Sequence, residues 1–311
     1  MMPTAADVER ARERLRPYLV PTPLEEANGT AGLWLKLENA NKTHSFKCRG
    51  ALNAMLVMDE AARARGVVAV SSGNHAQGVA YAARMLGVQA RIVMPEGVSR
   101  RKLGGVRRLG AEAILFGETY EEAEQEARRL CRELGSTWLS PYNDPDVVAG
   151  AGTVGLEILE QLPETGRIVV PAGGGGLIAG IALVAKAARP DIEIVAVNAL
   201  ASPDLYNEFY QLEHELTHET LADALPGAIE AGSITRELVN QWVDRVVLVS
   251  EDDIRRAMQF MIFEQGWIAE GGGAVSLAAV DNGNIELDRP TVAVITGGNV
   301  DADVLRDVMD V

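Results

Sequence analysis

The chain reads as an α/β protein built on open parallel sheets with helices on both faces, and three observations point there. Short apolar strand-like runs alternate with helix-like runs. The strands are apolar at nearly every position rather than every second one, and several run straight into a small polar turn and then a helix. Such alternation calls for parallel strands joined by crossover helices, and strands buried on both faces lose the two-residue polar rhythm. In chain order, VVAVS leads to HAQGVAYAARMLG, ARIVMP to SRRKLGGVRRLG, and AEAILFG to TYEEAEQEARRLCRELG. The pattern resumes after residue 142 with IVVP, EIVAVNA, RVVLVS and TVAVITG. No low-complexity linker interrupts it.

Each element has a local reason. The N-terminal stretch, with Asp7, Glu9, Arg10 and Arg12, is a polar helix. The run THSFKCRGALN (43–53) places Lys47 at the start of an apolar-periodic helix that extends to about residue 64. A lysine there stands beside the positive end of the helix dipole, which favours the neutral amine that condenses with a carbonyl as a Schiff base. A solvated surface lysine is the bland alternative, and the neighbouring Phe46 and Cys48 argue for burial. The run VVAVSSGNHAQ (67–77) is a strand over 67–70, a polar turn, and a helix over 76–86. Its hydroxyls, amide and backbone N–H groups at a helix start make a cradle the size of a carboxylate. The acidic run 118–126 is a solvated helix face capped by Thr119.

The run RIVVPAGGGGLIAG holds a strand over 167–170, four consecutive glycines, and a helix over 177–188. Glycine admits left-handed backbone and close ligand approach, and the first N–H groups of the helix face the bend, so the loop suits an anion, phosphate first. It matches neither the Walker spacing nor G-x-G-x-x-G, and a tightly packed turn with no ligand is the alternative. The run VAVITGGN (292–299) is again strand then polar turn, with the Thr296 hydroxyl at the strand's carboxyl end, where open α/β sheets bind ligands.

Composition sets the bounds. At 311 residues the chain can bury a large core or divide in two. With 47% apolar and 23% charged residues it is an ordinary globular composition, and a net charge of −15 disfavours nucleic acid or an anionic membrane as partner. Two cysteines, Cys48 and Cys131, make no disulfide framework, and no signal peptide or spanning segment is visible, so a reducing cytoplasm is expected.

Taken together, the lysine motif, SSGNHAQG, the tetraglycine bend and TGGN, in this order and at these separations, closely resemble fold-type II pyridoxal-phosphate enzymes of the threonine/serine dehydratase (ammonia-lyase) and serine racemase group. The resemblance covers nearly the whole chain and includes WLKLEN (34–39), SPYNDPD (140–146), AGAGTVGLE (149–157) and TLAD (220–223). It implies a tryptophan synthase β-like fold with a large cofactor-binding domain, 1–66 plus 142–311, and a small inserted α/β domain, 67–141. It also implies pyridoxal 5'-phosphate in the cleft between them and a homodimer. Lys47 would bind the cofactor covalently and act as the base at the substrate's α-carbon. Gly173, Gly174, Gly175 and Gly176 would hold the phosphate, Asn74 the ring hydroxyl, Phe46 the ring face, and Thr296 the pyridine nitrogen. Glu270 occupies the place of a family glutamate near the ring, with a solvated loop acid as its bland alternative. Ser71, Ser72, Gly73, Asn74 and His75 would hold the substrate's carboxylate.

The implied reaction is β-elimination from a hydroxyamino acid such as L-threonine, L-serine or 3-hydroxyaspartate, giving a 2-oxo acid and ammonia. A neutral hydroxyl at the pyridine nitrogen makes the ring a weaker electron sink, which favours expulsion of the β-substituent. Racemisation is the alternative, with Ser72 as the acid/base on the opposite face; a simple helix N-cap is the other reading of Ser72. An arginine that related racemases carry aligns near Ala123, which leans toward the dehydratase. A phosphometabolite-binding protein without covalent chemistry is the non-enzyme alternative.

Departures from the family's pattern carry expectations of their own. His44 stands where glycine is usual, two residues before Phe46, within reach of the substrate's side chain, and suits a second carboxylate; a hydrogen-bonded turn histidine is the alternative. Asn198 replaces an acid of a divalent cation site, which leaves Asp204 and the Ser202 carbonyl, a poor cage, so no metal is expected. His214 and His218 are four apart in a helix-like stretch but lack a third ligand. Trp242 and Trp267 belong to the core or a subunit interface. Only about a dozen residues follow TGGNVD, which leaves no room for a ligand-sensing domain and fits a catabolic role.

Overall fold

The computed structural model describes residues 2–217, 219–227 and 229–310. Two sheets organise the chain. The larger has the order β1 (Leu24–Glu26), β2 (Leu33–Leu37), β10 (Thr291–Ile295), β7 (Arg167–Pro171), β8 (Glu193–Ala199), β9 (Arg245–Val249). Only β1 runs antiparallel; every other pairing in it is parallel. The smaller is wholly parallel, in the order β5 (Glu112–Leu115), β4 (Ala90–Met94), β3 (Val67–Val70), β6 (Thr137–Trp138). The smaller sheet thus draws its strands from one continuous stretch, and the larger from both sides of it.

Burial explains the missing polar rhythm. In β7, Ile168 and Val170 enter the core on one face and Val169 the core on the other; in β10, Val292 and Val294 part from Ala293 and Ile295 in the same way. Helices Pro145–Gln161 and Gly176–Ala188 cover the first face, and Glu251–Phe263, Gly271–Asp281 and Ala302–Met309 the second. The capping box at Thr119 opens helix Tyr120–Leu134, as its acidic run requires. Trp242 and Trp267 pack half-buried against the large cores.

Two sequence expectations need correction. The helix expected over 47–64 is two helices, Lys47–Val57 and Glu60–Arg65. Met58 turns extended, and Asp59 caps the second helix by accepting from the Ala62 N–H at 2.7 Å. That local acceptor outweighs continuing an apolar stripe. The stretch around His214 is not helical either: helix Asp204–Tyr210 ends at Gln211 in a left-handed conformation, and the His214 ring tilts against Tyr206 at 5.5 Å. His218 lies outside the described residues.

Beneath the lysine helix lies a buried ion network. Arg49, two residues after Lys47, donates to Glu38 at 2.8 Å and to Glu157 at 2.6 Å, and Lys36 meets Glu157 at 2.6 Å. All four are buried. Burial alone would raise the Glu38 carboxyl, but the Arg49 guanidinium pulls it down to about 2. Charges taken out of water are tolerated only when paired in this way, so the network welds the lysine helix to β2 and to helix Pro145–Gln161.

Candidate active site

The carboxyl ends of β3, β7 and β10 face one cavity of about 760 Å³. Strand β7 delivers the four glycines, β10 delivers Thr296, and β3 delivers the turn from Ser71 to His75. Each site residue anticipated from the sequence lines this cavity: His44, Phe46, Lys47, the Ser71–His75 turn, the tetraglycine bend, Glu270 and Thr296.

Lys47 opens helix Lys47–Val57, and its Nζ donates to the Pro141 carbonyl at 3.0 Å. It also stands 5.0 Å from the centre of the Phe46 ring. Burial pushes its ammonium down to about 8. The sequence argument invoked the helix dipole; desolvation is what moves this amine. No carboxylate pairs with it among the described residues, so its charge is poorly answered, and condensation with a carbonyl removes that burden.

The glycine bend turns at Gly175, whose φ of +80° favours glycine. The first helical turn bond here runs from the Ala179 N–H to the Gly175 carbonyl at 3.0 Å, which leaves the amides before it for an anion. Protein also presses on the loop: a Cβ on Gly174 would be driven into the Tyr142 ring, and one on Gly173 would stand 2.7 Å from the Leu225 carbonyl oxygen. Both readings of the loop therefore hold, since it is tightly packed behind and lines the cavity in front.

Opposite the bend, Asn74 is pinned on both sides. Its Nδ2 donates to Glu270 Oε1 at 2.5 Å and its Oδ1 accepts from Asn299 Nδ2 at 2.7 Å, which leaves one amide hydrogen for a ligand. Glu270 is 5% exposed and caps helix Gly271–Asp281, so the solvated-loop reading is wrong. Burial raises its carboxyl to about 7. Thr296 donates to the Gly272 carbonyl across a long 3.3 Å.

In the Ser71–His75 turn, Ser71 Oγ accepts from the Gly73 N–H at 3.1 Å, and the residue that caps helix Asn74–Leu86 is Gly73. Ser72 is thus not the N-cap. His75 is buried; its Nε2–H donates to the Leu139 carbonyl at 3.0 Å, and burial lowers the imidazole to about 3, so it is neutral, and its Nδ1 has no partner among the described residues. Ala123 is buried under the small sheet and lies outside the cavity lining. Asn198 donates to the Ala172 carbonyl and accepts from the Tyr206 N–H at 2.9 Å, so both ends of its amide are spent on backbone. No group of three or more His, Cys, Asp or Glu among the described residues is placed to hold a metal.

Sequence reasoning missed Tyr142, Asn299, Asp223 and Arg108 as cavity residues. TLAD and SPYNDPD were visible as motifs, but nothing local says that Tyr142 backs the glycine bend.

A buried, uncompensated lysine amine on a flat aromatic side chain, with an anion-ready glycine bend at parallel strand ends, defines an α/β enzyme that binds a phosphorylated aldehyde covalently. The donor set fits such a cofactor: amide N–H groups for the phosphate, Asn74 and Thr296 for polar ring positions, Phe46 beside the ring. Residues 15–297 match the family model described as pyridoxal-phosphate dependent enzyme. The protein belongs to that family.

Among its relatives, the L-threonine ammonia-lyase of Thermotoga maritima is 39% identical over 99% of this chain and 79% of its own length. The catabolic L-threonine dehydratase TdcB of Escherichia coli is 37% identical, over 95% of this chain and 92% of the relative. Maize serine racemase superposes with a TM-score of 0.92 at 33% identity, covering 99% of this chain and 97% of that one.

Proposed function

We propose that the protein is a lyase that eliminates water from a β-hydroxy amino acid, such as L-threonine, L-serine or 3-hydroxyaspartate, to release a 2-oxo acid and ammonia. The observation that carries this reading is the placement of a depressed-pKa lysine amine in one cavity with a carboxylate-sized turn and a hydroxyl, not a carboxylate, at the Thr296 position. The relatives named as threonine ammonia-lyase and dehydratase support it.

When bound, pyridoxal phosphate supplies an aldehyde for amine condensation and a ring that withdraws electrons from the substrate's α-carbon. The chain's own residues do the rest. Backbone N–H groups of the Ser71–His75 turn hold the carboxylate at the start of helix Asn74–Leu86. The Nζ of Lys47 takes the α-proton, and a base that titrates near 8 is matched to that task. The Asn74 side chain is pinned by Glu270 and Asn299 and would offer its remaining amide hydrogen to the ring hydroxyl. The amides of the glycine bend would hold the cofactor's phosphate.

Racemisation is the second reading, favoured by one observation: Ser72 lines the cavity free of an N-cap role. Incubation with L-serine and L-threonine, measuring both 2-oxo acid and D-enantiomer, tests the two together. Purified protein that stays colourless after soaking with pyridoxal phosphate would favour a non-covalent phosphometabolite-binding protein instead. We further propose a large domain, 1–66 plus 142–311, and a small one, 67–141, supported by the two sheets. A role in amino-acid catabolism is supported by the relative named as catabolic, and a cytoplasmic homodimer is proposed from the family resemblance. Gel filtration with light scattering tests the dimer.

A further inference from the structure

We propose that this protein steadies its glycine bend with a side-chain amide, that of Asn198, where the family's pattern places a divalent cation, so that cofactor binding needs no metal ion. This rests on the cofactor alone and holds whichever substrate is turned over.

The first observation is how the bend is tied down from behind. Strand β7 ends at Pro171, which pairs with Val197 of β8. One residue further, the Ala172 N–H donates to the Val197 carbonyl at 3.0 Å, and the Ala172 carbonyl accepts from Asn198 Nδ2. Consecutive residues of β8 thus hold both main-chain polar groups of the residue before the glycines. Within the bend, Thr235 Oγ1 donates to the Gly174 carbonyl at 2.8 Å. Asn198 and Thr235 are both buried, and neither lines the cavity. With the carbonyls of Ala172 and Gly174 taken by these side chains, the N–H groups of the bend are what remains to meet an anion.

The second observation is the other end of the same amide. Asn198 Oδ1 accepts from the Tyr206 N–H at 2.9 Å. Tyr206 lies in the first turn of helix Asp204–Tyr210, whose N-cap, Pro203, makes no side-chain hydrogen bond. Asn198 therefore supplies an acceptor that the helix start lacks, and joins that helix to the bend. Its partners settle the sense of the amide, because a carbonyl takes only a donor and a peptide N–H only an acceptor.

The third observation is what this leaves for a cation. Ca²⁺ and Mg²⁺ are bound by several oxygen ligands. At position 198 the side-chain oxygen already receives the Tyr206 N–H, and the NH₂ group beside it would repel a positive ion. The Asp204 carboxylate receives the Ser202 hydroxyl at 2.6 Å. The donor set fits a hydrogen-bonded bridge and does not fit a cage for an ion.

An acid at the same position reverses the chemistry. A carboxylate there would set oxygen against the Ala172 carbonyl oxygen, in a place shielded from water, and a cation beside the two would relieve the repulsion. Amide without ion and carboxylate with ion are thus two ways to hold one bend.

The test reads cofactor retention rather than turnover, so its outcome is separate from that of the elimination reading. Holoenzyme is dialysed against EDTA, Ca²⁺ or Mg²⁺, and the visible absorption of the bound cofactor and the thermal midpoint are followed. Both are expected to be the same in all three buffers. Loss of cofactor on chelation, restored by either cation, would overturn the proposal. Asn198→Leu, which removes both hydrogen bonds at similar size, is expected to weaken cofactor binding roughly 10-fold with no response to cations. Asn198→Asp is expected to weaken it comparably in EDTA and to regain part of it with Ca²⁺, a recovery that general damage to the fold would not produce. Native affinity in Asn198→Leu, or a deficit in Asn198→Asp that no cation moves, would overturn the bridging role. Should both variants fail to fold, chelation of the native holoenzyme still decides: loss of cofactor sinks the proposal and indifference supports it.

Discussion

The Asn74 amide reaches across 196 positions of sequence to donate to the Glu270 carboxyl at 2.5 Å, joining the first turn of one helix to the N-cap of another. One partner belongs to the turn after β3 and the other to the large-sheet side of the cavity. The bond therefore ties the two sides of the cavity together.

Replacing Glu270 by Gln tests the proton it holds. Burial raises the folded value to about 7 against an ordinary 4.5, so between these the folded protein holds a proton that the unfolded chain has released. The stability this group contributes is complete below about 4.5 and declines as pH rises toward 7. Urea unfolding of the cofactor-free protein should show native stability falling more between about pH 5 and pH 8 than that of Glu270→Gln, by a few kcal/mol at most. An identical pH dependence in both proteins would show that Glu270 is ionised throughout.

Lys47 has a lowered folded value, about 8, so its neutral form appears earlier than in free lysine. Cofactor-free protein should take up pyridoxal phosphate, followed by its visible absorption, at a rate that climbs as pH rises through about 8. Lys47→Ala should lose the visible band of the bound cofactor and cut elimination by roughly 10⁴-fold or more. A variant that kept both would remove the lysine from the chemistry.

Gly174→Ala forces a methyl group against the Tyr142 ring at the back of the glycine bend. Overpacking of this kind costs typically about 1–3 kcal/mol. Equilibrium dialysis should show weaker cofactor binding, and the double variant Gly174→Ala with Tyr142→Ala should recover part of it. Unchanged affinity in the single variant would mean that the loop yields freely.

Arg49→Ala takes the guanidinium from Glu38 in the core and leaves Glu157 with Lys36 alone as its cation. Removal of one partner from such a network costs about 3–5 kcal/mol, read as a lower urea midpoint. Arg49→Lys should recover only part of the loss, because a point charge cannot bridge both carboxylates as the planar fork does. A midpoint within error of the native protein would mean that water fills the gap.

Much of this architecture could be read from the chain because its signals are local. The β7 run RIVVP is apolar throughout since both its faces are covered, and four glycines at its end can serve few purposes. Lys47, Thr296 and the Ser71–His75 turn were legible because strand ends and helix starts dictate where ligands bind. Tyr142, Arg108 and Asn299 were not, since each reaches the cavity through packing between elements far apart in sequence, which leaves no periodic trace. The split near Met58 was legible in principle from Asp59, a preferred capping residue, but the apolar stripe obscured it. The motif brought Glu270 to the cavity, yet its burial depends on Gly297, Asn74 and Asn299 closing around it.

The close approach of helix Asn74–Leu86 to the lysine helix has one more implication. A Cβ on Gly78 would stand 2.9 Å from the backbone carbonyl of Lys47, and one on Gly50, a turn further along that helix, 2.8 Å from the carbonyl of Val147. The lysine-bearing segment is thus wedged bare backbone to bare backbone between neighbours from either half of the molecule. The aim of the Lys47 amine is therefore set by main-chain contacts on two sides rather than by side chains that can change rotamer.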